Sequence, residues 1–426
     1  MGAFSRANSA TRSKTVKAAL SSITLLGVSA LVLSGCTSST DTESGSSENL
    51  DLKIGTILPQ TGTLAVLGPP EFAGVDLAVQ DINDAKAGIT ISVEHKDSGD
   101  TTTDLATQSA TALLADGVSA VIGAASSGVS KTFIDQVTQA GVVQISPANT
   151  SPDFTDYPDD GFYFRTAPSD VLQGRILGNK IVNDGKTDVA ILYMNDAYGT
   201  GLYDNLKTSL EDGGASVVGE EIFEPASTDF TSAIQALLAT NPDALVVISF
   251  DEIKTIAEQL AGQGFDFSKL YGVDGNYGVI GEADTNVDIA GAQFTNPGVL
   301  APEEFQGRLQ EMVAEQGGDE LTVFSYAAES YDATTLTALA ALQGGSTDPA
   351  TIRDNLQQVS ADGTECESFA DCAKLIADGE DIDYNGVSGP IEWDENGDET
   401  EAFVSIFAYS AGNAAEGIEQ VPGSLK

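Results

Sequence analysis

The sequence predicts an α/β protein of two lobes, each a parallel sheet covered by helices on both faces, with a cleft between them. Three observations carry that expectation. Short apolar runs alternate with amphipathic helical stretches from residue 50 onward. The alternation restarts after Tyr163-Phe164-Arg165-Thr166. Residues 50–426 are also too many for one ordinary domain.

In the first set, residues 52–58 alternate at period two and read as a strand. After a Gly-Pro loop, Phe72, Val75, Val79 and Ile82 recur at helical spacing. A second strand is expected at 89–93, a helix at 104–115 ending at Gly117, and a third strand at 118–122. Val129, Phe133 and Val137 mark the next helix, closed by Gly141, and 142–145 is a fourth strand. In the second set, strands are expected at 189–194, 216–222, 244–250 and 270–273, with helices between them. Helical stretches follow around 302–313 and 322–342, and the chain ends in strand-like segments at 389–393 and 402–409. Helices and then strands after two α/β sets imply that the chain passes between the lobes more than once. A ligand site is expected at the C-terminal ends of the strands, facing the cleft.

The N-terminus reads differently. Residues 1–35 carry Arg6, Arg12, Lys14 and Lys17 and no acid; an apolar stretch at 18–33 ends in Leu33-Ser34-Gly35-Cys36. A basic start, a short apolar core and small residues before a cut site mark a secretory signal, and the core is short for a membrane span. Residues 37–49 hold Ser, Thr, Gly, Asp, Glu and Asn with nothing apolar to pack, and are expected to form a flexible tether of roughly 20 Å.

The net charge of −45 argues against nucleic acid and anionic membrane surfaces as partners. Its acids are scattered, as on a solvated surface. Besides Cys36 the cysteines are Cys366 and Cys372, close together in a polar stretch; outside the cytoplasm they are expected to form a local disulfide. One histidine, His95, sits on an expected strand, so no metal or other cofactor is expected. Asp394-Glu395-Asn396-Gly397-Asp398 mimics the start of a calcium loop but has Glu399 where the sixth-position glycine belongs, and reads as a β-turn.

The loops at the strand ends carry the chemistry. Gly123-Ala124-Ala125-Ser126-Ser127-Gly128 leaves the third strand and opens a helix, and its hydroxyls and N–H groups could seat a carboxylate. Ordinary helix capping explains the same serines without a ligand. Ser146-Pro147-Ala148-Asn149-Thr150 follows the fourth strand. In the second set, loops at Tyr198, Phe250-Asp251 and Gly272-Val273-Asp274-Gly275 offer aromatics and a carboxylate. Hydroxyls on one side and an acid backed by aromatic rings on the other suit a zwitterion, because a buried ammonium needs an anion beside it. Nucleophile elbow, P-loop and dinucleotide fingerprint are all missing from the sequence, so an enzyme is not expected.

Leu33-Ser34-Gly35-Cys36 resembles the lipobox of bacterial lipoproteins, which implies a signal peptide at 1–35 and a lipid on Cys36. From residue 50 onward the chain resembles the leucine/isoleucine/valine-binding proteins, extracellular receptors of ABC importers with the type I periplasmic-binding fold. The resemblance is carried by Leu67-Gly68-Pro69-Pro70-Glu71-Phe72-Ala73-Gly74, Ile145-Ser146-Pro147-Ala148-Asn149-Thr150, Phe164-Arg165-Thr166, Tyr198-Gly199-Thr200-Gly201 and Gly389-Pro390-Ile391-Glu392-Trp393-Asp394. It implies two doubly wound lobes joined by three crossovers, near Pro168, Pro297 and Gly389. One lobe would comprise 50–167 and 298–388, the other 168–297 and 389–426. It also implies that Ser126 or Ser127, Ala148 and Thr150 hold a ligand carboxylate, that Tyr198 and Asp274 hold its ammonium, and that Phe250 lines the side-chain pocket. The first loop departs from the family, with Val66 and Leu67 where members often carry Trp or Tyr, so Leu67 is expected to meet the ligand's side chain. The implied partners are an amino acid or amide-type small molecule, the membrane subunits of an ABC permease, and the membrane itself through the lipid; the chain is expected to be a monomer. A sensor of the same fold that signals to a membrane protein, or a hydrolase using a cleft serine, are the rival readings.

Overall fold

The computed structural model describes residues 49–283 and 286–425. The expected signal peptide, lipidated Cys36 and most of the tether lie outside the described residues. Two sheets organise the rest. The first unit runs β1 (Leu50–Leu58), α1 (Gly68–Ala85), β2 (Ile89–Asp97), α2 (Leu105–Ala115), β3 (Ala120–Gly123), α3 (Ser127–Thr138), β4 (Val143–Ser146) and β5 (Tyr163–Arg165). Its strands are all parallel in the order β2-β1-β3-β4-β5. The Tyr163-Phe164-Arg165 segment, read from sequence as a punctuation mark, is the edge strand of this sheet.

The second unit runs α4 (Asp170–Asn183), β6 (Asp188–Met194), α5 (Ala197–Asp212), β7 (Ser216–Phe223), α6 (Thr231–Ala239), β8 (Ala244–Ile248), α7 (Glu252–Gly262), β9 (Leu270–Gly272) and β10 (Gln293–Pro297). The chain then returns to the first unit with α8 (Glu303–Glu315), α9 (Ala327–Gly344) and α10 (Pro349–Leu356). A small sheet follows, made of β11 (Thr364–Cys366), β12 (Ile382–Gly386) and β13 (Gly389–Pro390) around α11 (Phe369–Asp378). It ends with β14 (Glu401–Tyr409) and β15 (Ala415–Ser424), an antiparallel pair that extends the second sheet to the order β15-β14-β10-β9-β8-β6-β7. The fold is the type I periplasmic-binding fold, with two lobes joined by three passages of chain.

Strand sequences explain themselves by burial. In β8 every residue from Ala244 to Ile248 is fully buried, as are Val189, Ala190, Ile191 and Leu192 in β6, because helices cover both faces of a parallel sheet. Each such Val, Leu or Ile contributes about 1.5–3 kcal/mol over its exposed state. On the first unit, α1 and α9 pack so closely that a Cβ on Gly74 would stand 2.1 Å from the carbonyl oxygen of Ala327. Any larger residue there would push the two helices apart.

The three passages lie at 166–169, at 298–302 and beyond β13. The third is longer than the Gly389 signal suggests. Gly389–Pro390 still pairs with β12, and the Gly397 carbonyl still accepts from Arg165 N–H at the edge of β5, so the crossing is completed only as β14 begins. The calcium-like segment is the expected turn: Asp394 Oδ1 accepts from the N–H groups of Asn396 and Asp398. Asp398 then forms a buried bidentate pair with Arg165, at 2.6 and 2.7 Å, that ties this passage to β5. Among the described residues no group of three or more His, Cys, Asp or Glu is arranged to hold a metal, and no helix is long and apolar enough to cross a membrane. Cys366 and Cys372 are bonded to one another, linking β11 to α11.

Candidate functional site

The C-terminal ends of the two sheets face one another, and the space between them is nearly shut. Across it the Asp251 N–H donates to the Thr63 carbonyl at 3.2 Å, and Ser151 Oγ donates to the Ala197 carbonyl at 2.8 Å. The space left between them in this shut form, about 10 Å³, is lined by Leu64, Leu67, Ala125, Ser126, Ser127, Ala148, Tyr198, Phe250, Asp274, Gly275 and Tyr326. Seven of the expected residues meet there: Ser126, Ser127, Ala148, Tyr198, Phe250, Asp274 and Leu67. A larger hollow of about 670 Å³ lies beside the 155–161 loop and α10, but it is open to solvent and its lining includes Asp159, Asp160, Asp354 and Glu395. None of the hydroxyl or aromatic loops singled out at the sheet ends reaches it.

One end of the closed space is a hydroxyl seat. Ser126 is the N-cap of α3, its Oγ accepting from Val129 N–H at 3.3 Å. The capping role and the site role therefore coexist, since a hydroxyl that accepts a bond still has its proton to donate. Ser127 Oγ likewise accepts from Ser151 N–H at 3.3 Å. Both serines stand at the first turn of a 12-residue helix, where exposed N–H groups favour an anion. Thr150 does not line the space. It is fully buried behind the seat, its Oγ1 donating to Asp170 Oδ2 at 2.9 Å.

The other end is acidic. Asp274, in a 3-10 turn after β9, is 4 % exposed and accepts three hydrogen bonds. Tyr198 Oη donates to Oδ1 at 2.7 Å, Gln173 Nε2 to Oδ1 at 2.9 Å, and Tyr326 Oη to Oδ2 at 2.7 Å. Burial pushes the Asp274 carboxyl up from its ordinary range, and the three donors hold it back. Asp170, at the start of α4, is pushed well above the ordinary range, first by burial and then by the charge of Asp274. Its Oδ1 is buried with no hydrogen-bond partner, and so is Oε1 of Gln173. Such orphaned acceptors are uncommon and retain the capacity to accept from an added N–H donor.

The side wall is apolar. Phe250 stacks on Tyr198 with ring centroids 5.4 Å apart. Leu64 and Leu67 close the opposite side from a short 3-10 turn at 65–67 and the residues before it. Gly275 is required here, because a Cβ on it would meet the Phe250 ring at 2.8 Å.

Sequence reasoning missed Asp170, Gln173, Leu64 and Tyr326. Asp170 and Gln173 lie in the first turn of α4, and nothing local in the sequence marks them out. Tyr326 carries one signal: it enters α9 from left-handed backbone, φ 62°, which costs an L residue of order 1 kcal/mol. That conformation is visible only in the folded chain.

Two α/β lobes shut over a space with hydroxyls at one end and buried acids at the other define a two-lobed binding protein. The chain belongs to the periplasmic binding protein family, whose pattern it matches over residues 51–374. Relatives include a Leu/Ile/Val/Thr-binding protein of Salmonella typhimurium, 26 % identical over 86 % of this chain and 93 % of its own length. An uncharacterized protein of Methanocaldococcus jannaschii is 27 % identical over 55 % of this chain, which spans 59 % of that relative. Among solved structures, the branched-chain amino acid transporter substrate binding protein LivJ of Streptococcus pneumoniae, in complex with isoleucine, is 26 % identical with a TM-score of 0.69. That match covers 86 % of this chain and 99 % of LivJ. A solute binding protein of R. palustris in complex with benzoate shares the fold at 18 % identity and a TM-score of 0.68, over 88 % and 97 % of the two chains. Members of this family are substrate-binding proteins rather than enzymes.

Proposed function

We propose that this chain is the extracytoplasmic solute receptor of an ABC importer and that its solute is an L-amino acid with an aliphatic side chain. The lobes are assigned to 50–167 with 298–400, and to 168–297 with 401–426, which moves the third boundary from Gly389 to the start of β14. The observation that carries the reading is Asp274: a fully enclosed carboxylate, fixed by three donors, across the space from a hydroxyl seat at a helix N-terminus. The solute carboxylate would take the free protons of Ser126 and Ser127. Its ammonium would pair with Asp274 and supply the missing donor to Asp170 Oδ1. Leu64, Leu67 and Phe250 would enclose the side chain.

Relatives that bind Leu, Ile, Val or Thr agree with this solute, whereas a benzoate-binding neighbour raises another. The acids favour the amino acid. An aromatic monocarboxylate has no cation to offer Asp170 and Asp274, and burying unpaired charge costs several kcal/mol. Solute held between the lobes favours the shut form, which a permease can recognise. Micromolar affinity, about −8 kcal/mol, is sufficient. A lipid on Cys36 would hold the receptor near its permease and raise its local concentration.

The test is thermal denaturation with L-leucine, L-isoleucine, L-valine, the corresponding amides, and benzoate. At a hundredfold excess over Kd a true ligand adds about 2.7 kcal/mol of stability. A rise in Tm with the zwitterions and none with benzoate is expected. A shift with benzoate or amides alone would overturn the amino-acid reading. Stimulation of an ABC permease's ATPase by the liganded receptor in proteoliposomes separates the importer from a sensor of the same fold.

A further inference from the structure

Away from the solute, a second group of acids sits where the three passages meet. At its centre is Glu329, in the first turn of α9 and 3 % exposed. The first passage reaches it through Thr166, whose Oγ1 donates to the Glu329 carbonyl at 2.9 Å. The second passage touches it at Gly298, where a Cβ would stand 2.1 Å from Glu329 Oε1. The third brings Glu399, itself 6 % exposed, whose carboxyl feels the charge of Glu329. From α1, Glu71 faces the same point. It is fully buried, and neither of its carboxyl oxygens has a hydrogen-bond partner.

Cations do not balance this group. The Arg165 guanidinium is felt by Glu399, but its N–H groups are committed to Asp398 and to the carbonyls of Asn149 and Ser151. Asp332, one turn further along α9, is satisfied separately by Tyr384 Oη and the N–H groups of Val387 and Ser388. Tyr326 also feels Glu329, but its hydroxyl is given to Asp274. Three enclosed carboxyls with no cation of their own favour their protonated forms.

We propose that Glu329 is a proton latch of the hinge: it holds a proton while the lobes are shut and releases it when they part, so that closing on a solute takes up a proton. The geometry gives the reason. Each passage must change its backbone path for the lobes to open, and all three lie against Glu329 or its acidic neighbours. Parting them admits water and restores the carboxylate's hydration. In the shut form burial, followed by the charge of Asp332, pushes the Glu329 carboxyl from 4.5 up to about 8. The sign follows. The shut form is favoured without penalty below the ordinary carboxyl range, loses favour as pH rises above it, and has lost the whole contribution above about 8. The limit is about tenfold in affinity per pH unit inside that window. Physically, such a receptor would hold its solute more firmly in a mildly acidic exterior and release it more readily in an alkaline one.

This inference rests on the reading that the lobes close over a solute, and two measurements separate the failures. The first is titration calorimetry of the mature chain with L-leucine at pH 7.0–7.5, in buffers of different ionisation enthalpy, which counts protons taken up. Asp170 and Asp274 contribute in the opposite direction, since an ammonium favours their ionised forms, so the quantity of interest is the difference between parent and variant. Glu329→Gln keeps the shape and removes the titration; binding to it should take up about one proton fewer than binding to the parent. Glu399→Gln should shift the count in the same direction, and serves if the first variant folds poorly. The second is small-angle scattering of the ligand-free chain from pH 5.5 to 9, where the parent should expand with rising pH and Glu329→Gln should not. If L-leucine fails to bind, the solute reading is wrong and the scattering decides the latch alone. Equal proton counts in parent and both variants, or expansion that persists unchanged in Glu329→Gln, would overturn the latch.

Discussion

Replacing Asp274 by Asn tests the solute site at its most informative atom. The substitution preserves shape: an amide oxygen in the Oδ1 position still accepts from Tyr198 and Gln173. The amide nitrogen in the Oδ2 position can donate to the Tyr326 hydroxyl, which accepts as well as donates. What disappears is the negative charge. A hydrogen bond to a charged group is worth about 1.5–3 kcal/mol, and truncating one side of a buried charged pair costs about 2–5 kcal/mol. A loss near 3 kcal/mol lowers affinity for L-leucine by about a hundredfold. The same change relieves the repulsion that pushes Asp170 up, so the ligand-free protein should melt no lower than the parent. Calorimetry with L-leucine and with 4-methylpentanoate, which lacks the ammonium, makes the test specific. Discrimination between the two should collapse in Asp274→Asn. A leucine Kd within about threefold of the parent's would refute the argument, since a buried charge with no role in binding can be neutralised freely.

Further outcomes follow from other contacts. Leu67→Ala removes part of the apolar wall and should weaken leucine binding by about tenfold while leaving the hydroxyl and acid groups in place, as checked by calorimetry. Asp398→Asn leaves the fully buried Arg165 guanidinium without its anion and should destabilise folding by about 3–5 kcal/mol, measured by urea unfolding. Cys366→Ser opens a short local loop remote from the site and should cost about 2 kcal/mol of stability with no change in solute affinity. Gly298→Ala must place a methyl group both at φ +94° and against Glu329; it is expected to weaken leucine binding more than it lowers the melting temperature of the ligand-free chain, because the strain falls on the hinge of the shut form.

How much of this was legible beforehand depends on whether a property is local. The α/β class and the positions of β1, β3, β4, β6 and β8 follow from short apolar runs such as Ala244 to Ile248, which are legible because both faces of those strands are covered. Ser126, Ser127, Tyr198 and Asp274 were legible because each lies in a loop directly after a strand, where a parallel sheet exposes its ligand-facing edge. The strands β5, β10, β12 and β15 were not. They are short, or exposed along one edge like Ala415–Ser424, so their hydrophobic pattern is weak. The length of the third passage also escaped, because Gly397 is held to β5 by a bond to Arg165, far away in sequence.

The sequence by itself therefore determined the two-lobed α/β architecture and the hydroxyl and acid loops, since period, loop composition and residue chemistry are carried by neighbours along the chain. Only the tertiary structure decided which groups share an environment. It set Asp170 beside Asp274 and withdrew Thr150 behind the seat. It also gathered Glu71, Glu329 and Glu399 around three passages. Burial and charge proximity depend on distances through space, and residues so far apart in the chain leave no local mark of their meeting.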